Sequence, residues 1–266
     1  MTDASNEELL QLAVEIAAET ATLISRYAVD GFEVSTKSSR TDMVTEADRA
    51  AEDLIVKRIL AARPDDGLLG EEGANRDSTS GVRWVIDPID GTTNFIYGIP
   101  AYSVSIGVER DGEVVAGVVH DVAHNEAFTA TLGGGAHRNG KPIRITGNTD
   151  LGTALFATGF AYDPIRRAEQ AAFQALTLPH IRDVRRMGSA ALDLAHVASG
   201  QLDGYVEYRL NWWDIAAGGL LVREAGGVTG GLGGYTFEDG YVLACAPGLL
   251  LEATLLFDSA FAATRP

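Results

Sequence analysis

The sequence predicts an α+β half followed by an α/β half, and two patterns carry that expectation. Between residues 103 and 132 three β-rich runs follow one another with turn residues between them, which reads as an antiparallel meander. Beyond Asp150 strand-like and helix-like segments alternate, the pattern of strands joined through helices. Size is a third observation: 266 residues are enough for two fused halves around a substantial common core. The change of pattern divides the chain into residues 1–146 and residues 147–266, two parts of one compact unit.

Ser5 followed by Glu8 has the form of a capping box, and Leu9, Ala13, Ile16, Thr20, Leu23 and Tyr27 recur at helical spacing. The first element is therefore an amphipathic helix. A second helix starts near Thr45, carries Leu54, Ile55 and Ile59 on one face and ends before Pro64. VRWVID, at 82–87, reads as a buried strand. The meander is SVSIGVER, EVVAGVVHDV and EAFTATL, with Asp111-Gly112 as the first turn, and Asn139-Gly140 marks another turn before a strand-like stretch at 143–146. Then come strand-like LFATGF, a helix around 168–176, strand-like RDVRRM, a helix over 189–198 and strand-like LDGYVEY. A helix over about 214–224, the run VLACA and a final amphipathic helix complete the order. GGLGGY, at 230–235, lacks the GxGxxG spacing of a phosphate cradle and reads as a surface loop.

Composition narrows the function. The chain carries 21 basic against 37 acidic residues, a net charge of -16, which disfavours non-specific binding to nucleic acid or anionic lipid. No apolar stretch is long enough to span a bilayer, and the start, MTDASNEELL, is polar and acidic, so neither a membrane span nor a signal peptide is expected. Cys245 is the only cysteine and sits in an apolar run; it reads as a small core residue, and a cytoplasmic location follows. An acidic protein repels phosphorylated substrates unless metal ions invert the local charge.

WVIDPIDGTTNF, at 84–95, is the most informative segment. An apolar strand ends at Asp87, Pro88 is expected to turn the chain, and Asp90 comes back beside Asp87. Two carboxylates and the intervening Ile89 carbonyl suit a hard cation such as Mg²⁺. The amides of Gly91 and Thr92, at the start of a following helix or turn, suit a phosphate oxygen. Taken alone, DPID also fits an Asp-Pro turn with a capping Asp. Glu71 and Glu72 in GEEG follow a short apolar run, and Asp214 in WWDIAAG opens a helix of small residues. A solvated loop acid and a helix N-cap are the alternative readings. The five histidines show no ligand pattern: His120 and His124 are four apart but not on a clear helix, which argues against zinc.

Together these segments resemble the inositol monophosphatase family, through TDMVTEADRAAE at 41–52, GEEG at 70–73, WVIDPIDGTTNF at 84–95, GSAALDLA at 188–195 and WWDIAAGGLLVREAGG at 212–227. The resemblance covers nearly the whole chain. It implies a layered αβαβα sandwich, a homodimer, and a site between the halves that binds two to three Mg²⁺. Glu71, Asp87 and the Ile89 carbonyl look like ligands of one metal, and Asp87, Asp90 and Asp214 like ligands of a second; a third leans on Glu71. Four carboxylates at -4 with three Mg²⁺ at +6 leave about +2, attractive to a phosphate dianion.

By the same resemblance Thr92 and Asp48 orient and deprotonate the attacking water, with Glu71 beside them, although Asp48 is also placed to cap the helix after Thr45. Lys37 aligns with a family lysine near the site, a solvated lysine being the alternative, and Glu72 stands with it next to the ligands. Asp90, Gly91, Thr92, Ala190, Glu207 and Asp214 contact substrate, Glu207 and Ala190 through inositol hydroxyls; the alternative for Glu207 is a strand-edge acid facing water. Gly230 departs from the family pattern, which has an acidic or amide residue there. The implied activity is lithium-sensitive, Mg²⁺-dependent hydrolysis of a small phosphate monoester, with myo-inositol monophosphate leading. Histidinol phosphate comes next, then fructose 1,6-bisphosphate, NADP or an adenosine bisphosphate. A partner-binding protein that keeps the fold is the non-enzymatic alternative.

Overall fold

The structure, a computed structural model, describes residues 4–36 and 43–264. Lys37 lies outside the described residues. Helices α1 (Asn6–Asp30) and α2 (Glu46–Ala62) both open with complete capping boxes, Ser5 with Glu8 and Thr45 with Asp48. In α1 the buried stripe is Leu9, Ala13, Ile16, Thr20 and Ile24, while Leu23 and Tyr27 are only half-buried. A two-stranded sheet of β1 (Val34–Thr36) and β2 (Met43–Thr45) leads into α2.

An eight-stranded sheet follows: β3 (Gly67–Gly70), β4 (Asn75–Arg76), β5 (Val82–Asp90), β6 (Ser103–Arg110), β7 (Glu113–Asp121), β8 (Glu126–Thr131), β9 (Gly135–Arg138) and β10 (Lys141–Pro142). Its order is β10-β9-β8-β7-β6-β5-β3-β4. The meander is present as β6, β7 and β8, all antiparallel. Asp111 at φ 50° and Gly112 at φ 86° make the tight turn between the first two, the left-handed pair that such hairpins require. Helix α3 (Thr92–Tyr97) follows β5.

A second, five-stranded sheet holds β11 (Leu155–Ala157), β12 (Asp183–Arg185), β13 (Gly204–Tyr208), β14 (Val228–Gly230) and β15 (Tyr241–Cys245), in the order β12-β11-β13-β15-β14. Between its strands run α4 (Pro164–Thr177), α5 (Ala190–Ala198) and α6 (Trp212–Glu224), and α7 (Leu250–Ala263) follows β15. The layers are those of an α+β sandwich. Helices α1 and α2 cover one face of the large sheet, α5 and α6 lie between the sheets, and α4 and α7 cover the outer face of the small one. Cys245 is fully buried on β15 and burial pushes its thiol up to about 12. Among the described residues no helix is long and apolar enough to cross a membrane.

Three local expectations are corrected. Residues 143–146 form no strand: the Ile143 amide donates to Ala136 and the Ile145 amide to Ala225, two different elements, so no ladder forms. LFATGF is extended only over Leu155–Ala157 before the chain leaves the sheet. Pro88 does not turn the chain, because β5 runs on to Asp90 through a register shift. Asp87 pairs with Ser105 and Asp90 with Ser103, so three steps on β5 face two on β6. The extra residue is a bulge, which accommodates a proline that has no amide to give the ladder.

Candidate active site

The bulge explains why Asp87 and Asp90 line one cavity. Side chains alternate faces along a strand, so residues three apart point to opposite sides. One inserted residue restores them to the same side, and both line a cavity of about 300 Å³ between the sheets. Gly91, at φ 99°, then breaks out of the strand, and a Cβ there would stand 2.9 Å from the Ala101 carbonyl. Neither a side chain nor ordinary backbone would fit. Helix α3 beyond it is only six residues long.

The same cavity is lined by Glu71, Ile89, Thr92 and Asp214. Glu71 follows β3, where the Glu52 carboxylate on α2 accepts the Glu72 and Ala74 amides at 2.8 Å each and fixes the loop. Asp214 is not the N-cap of α6. The helix starts two residues earlier at Trp212, Asn211 is the cap, and Asp214 accepts the Asn211 amide at 2.7 Å as the third residue of a capping box. Asp90 Oδ2 accepts the Ser189 hydroxyl at 2.7 Å and the Ala191 amide at 2.6 Å, which ties β5 to α5.

Thr92 joins this wall to α2. Its hydroxyl lies 3.0 Å from Asp48 Oδ1 and 3.0 Å from the Ile89 carbonyl; with one proton it donates to one of them at a time. The other oxygen of Asp48 accepts the Thr45 amide at 2.7 Å. The two readings of Asp48 are therefore compatible, since one carboxylate closes the helix and faces Thr92.

Electrostatics mark this wall as frustrated. Burial pushes Asp87 well up, reinforced by Glu71, Asp90 and Asp214, and Asp214 likewise rises through burial and its acidic neighbours. Asp90 is pushed up to about 6 by burial, with the Ser189 and Ala191 hydrogen bonds opposing the shift. Asp48 is raised by burial against its Thr45 hydrogen bonds. Asp87 Oδ1 is buried without a partner, and Glu71 is within hydrogen-bond reach of Asp87. Two carboxyls in contact need a shared proton or a cation between them.

These residues fit a hard divalent cation. Oxygen is the only donor type in the set, and an orphaned carboxylate oxygen faces acidic neighbours. Among the described residues no three acidic, His or Cys side chains already enclose a metal position. The fit rests on the oxygen donors and the orphaned Asp87 oxygen, since Mg²⁺ takes one or two carboxylates per ion and keeps several waters.

Glu207 and Ala190 line the cavity farther along. Glu207 is not a strand-edge acid: β13 is the middle strand of its sheet, and the side chain is 9% exposed. Burial raises it to about 7, and its Oε2 accepts the Tyr205 hydroxyl at 2.5 Å. Ala190 is the buried first residue of α5, capped by Ser189. The fold also brings in Ser189, Asp193, Arg166, Arg186 and Arg209, which sequence reasoning missed. Asp193 had a readable signal, one helical turn beyond Ala190 in GSAALDLA. Arg209 had none: it holds φ 70° and pairs with Glu169 on α4 at 3.6 Å.

The comparisons with known proteins concern the family and the fold. Residues 5–257 match the sequence model of the Inositol monophosphatase family. An Inositol-1-monophosphatase of Mycobacterium leprae is 43% identical over 272 residues, covering 93% of this chain and 92% of that protein. Nus factor SuhB of Escherichia coli K12 is 43% identical over 228 residues, covering 83% of this chain and 84% of the relative. The solved structure of Mycobacterium tuberculosis SuhB superposes with a TM-score of 0.82 at 40% identity, covering 99% of both chains. The chain belongs to the inositol monophosphatase family.

Proposed function

We propose that the chain is a Mg²⁺-dependent phosphatase of small phosphate monoesters, with myo-inositol monophosphate as its leading substrate. One observation carries the reading: Glu71, Asp87, Asp90 and Asp214 come from three separate stretches of the chain to one cavity wall, beside the Thr92 and Asp48 pair. Glu71, Asp87, Asp90, Asp214 and the Ile89 carbonyl would hold two to three Mg²⁺. When bound, Mg²⁺ supplies positive charge that holds the phosphate and offsets charge developing at phosphorus and the leaving oxygen.

The chain's own groups do the rest. Thr92, with its proton directed to Asp48 Oδ1, presents lone pairs to an attacking water. As the water oxygen bonds to phosphorus and the ester P–O bond breaks, the water proton passes to the Thr92 oxygen and the Thr92 proton to Asp48. A raised carboxyl pKa suits that acceptance. Glu207 and Ala190 meet the alcohol. A cytoplasmic, lithium-sensitive homodimer completes the proposal, and the alternative substrates are histidinol phosphate, fructose 1,6-bisphosphate, NADP and adenosine bisphosphates.

The test is phosphate release from inositol 1-phosphate with and without Mg²⁺, in the parent chain and in Asp90→Asn. We expect activity only with Mg²⁺ and at least a hundredfold loss in the variant, because an amide removes the ligand charge. Near-normal turnover by the variant at saturating Mg²⁺ would take Asp90 out of the mechanism. A second reading has one supporting observation, the relative named Nus factor: a protein that keeps the fold to bind a partner. Absence of turnover on every ester named above would favour it.

A further inference from the structure

Beyond the carboxylates of the proposed metal wall, the cavity contains a second acidic pair. Asp193 stands on α5 one turn after Ala190, on the face that lines the cavity, and is 1% exposed. Its side chain makes no hydrogen bond among the described residues, and Oδ1 is buried without a partner. Across from it on β13, Glu207 lines the same space. Glu207 is near enough to raise Asp193, and both acids act on Tyr205.

Donors and acceptors do not balance here. Two carboxyls offer about eight acceptor positions, while the protein supplies the Tyr205 hydroxyl to Glu207 alone. Arg186 acts on both acids through its charge and makes no hydrogen bond or ion pair among the described residues. A buried polar group normally finds a partner, and an orphan at a cavity wall points to a ligand that completes it. Gly159 maintains the space: a Cβ there would lie 2.0 Å from Glu207 Oε2.

We propose that Asp193 is a specificity-determining residue which, with Glu207, accepts hydroxyl groups of the leaving alcohol, so that the site selects phosphate esters of polyols. The inference rests on the phosphatase reading and extends it to the alcohol. Polyols are favoured over amino alcohols by two features of the pair. Burial raises both acids, which weakens their pull on an ammonium group, and the Arg186 cation repels one.

The experiment compares kcat/KM for inositol 1-phosphate, histidinol phosphate and p-nitrophenyl phosphate in the parent chain, Asp193→Asn and Asp193→Ala. Asparagine keeps the shape and removes the charge-assisted acceptor; alanine removes both oxygens. We expect the ratio of inositol 1-phosphate to p-nitrophenyl phosphate to fall about tenfold in the asparagine variant and about a hundredfold in the alanine variant. An unchanged ratio, or equal losses on both esters, overturns the proposal and leaves the phosphatase reading standing. A parent chain that prefers histidinol phosphate overturns the polyol assignment. Melting curves with saturating myo-inositol supply a readout independent of turnover: the parent Tm should rise and the variants' should not. If the parent hydrolyses no ester but shows that rise, the phosphatase reading fails and the polyol site stands; without the rise, both fail.

Discussion

Thr92 and Asp48 are 44 residues apart in sequence, yet their hydroxyl and carboxylate oxygens lie 3.0 Å apart. The contact joins the start of α3, just beyond the strand carrying Asp87 and Asp90, to the first turn of α2, where Asp48 also accepts the Thr45 amide. The cap and the proposed catalytic duty therefore fall on one carboxylate, and they separate experimentally.

Thr92→Ala and Asp48→Asn should each lower kcat about a hundredfold or more, the usual scale for proton transfer by a positioned group, with little change in KM. Because the pair acts as a unit, the double variant should be no slower than the slower single variant. Asp48→Asn should also cost about 1 kcal/mol in stability, read by denaturant unfolding, through the weakened cap. Multiplicative losses in kcat would show that the residues act independently.

Stability of the metal-free chain should fall as pH rises. Asp90 moves from 3.8 to about 6 and Glu207 from 4.5 to about 7 on folding, so between pH 4 and 7 the native state binds more protons than the unfolded chain. Deprotonation then favours unfolding; for Asp90 alone a difference near two pKa steps corresponds to about 3 kcal/mol. The Tm in chelator should drop from pH 4.5 to pH 7. Added Mg²⁺ should raise Tm far more at pH 7.5 than at pH 5, where protons compete for the same oxygens. A chelated protein whose Tm climbs steadily over that range would contradict this account.

Gly159→Ala tests the placement of Glu207. The added methyl would fall 2.0 Å from Oε2, so the carboxylate must leave its position beside Tyr205. We expect kcat/KM for inositol 1-phosphate to fall at least tenfold, as measured by initial rates. The same substitution made with Glu207→Gln already present should cost much less, because the displaced charge is gone.

Gly117→Ala probes the support beneath Asp214. Helix α6 approaches the large sheet so closely that a Cβ at Gly117 would meet the Ala217 Cα at 3.0 Å. Overpacking of this kind costs about 1–3 kcal/mol. A lower Tm should come with a weaker apparent affinity for Mg²⁺, read from the activity titration, since α6 shifts with Asp214 on its first turn. Loss of stability with an unchanged Mg²⁺ titration would show that Asp214 is held independently of the helix contact.

Local features of this protein were legible because their physics is local. Ser5 with Glu8 and Thr45 with Asp48 form the capping boxes that their three-residue spacing implies, and Asp111-Gly112 makes its turn because Asp and Gly tolerate the left-handed conformation that a two-residue hairpin requires. The carboxylates of DPID and WWD were recognisable as a set only through the family resemblance, since each alone also fits a turn or a helix cap. Their common wall was not, for it depends on a bulge whose register is set by β6, a separate strand. Proline 88 announced an interruption but not its form. The alternative of an edge acid stayed open for Glu207 because strand order within a sheet is invisible in one strand's residues, and its burial follows from β13 lying between β11 and β15. Asp193, Glu52 and Arg209 acquire meaning only through neighbours 14 to 40 residues away: Arg209 through Glu169, Glu52 through the loop of Glu71, and Asp193 through Glu207. Chain propensities act over a few residues, whereas the cavity exists only once two sheets have closed on α5 and α6. That packing chose which acids would meet.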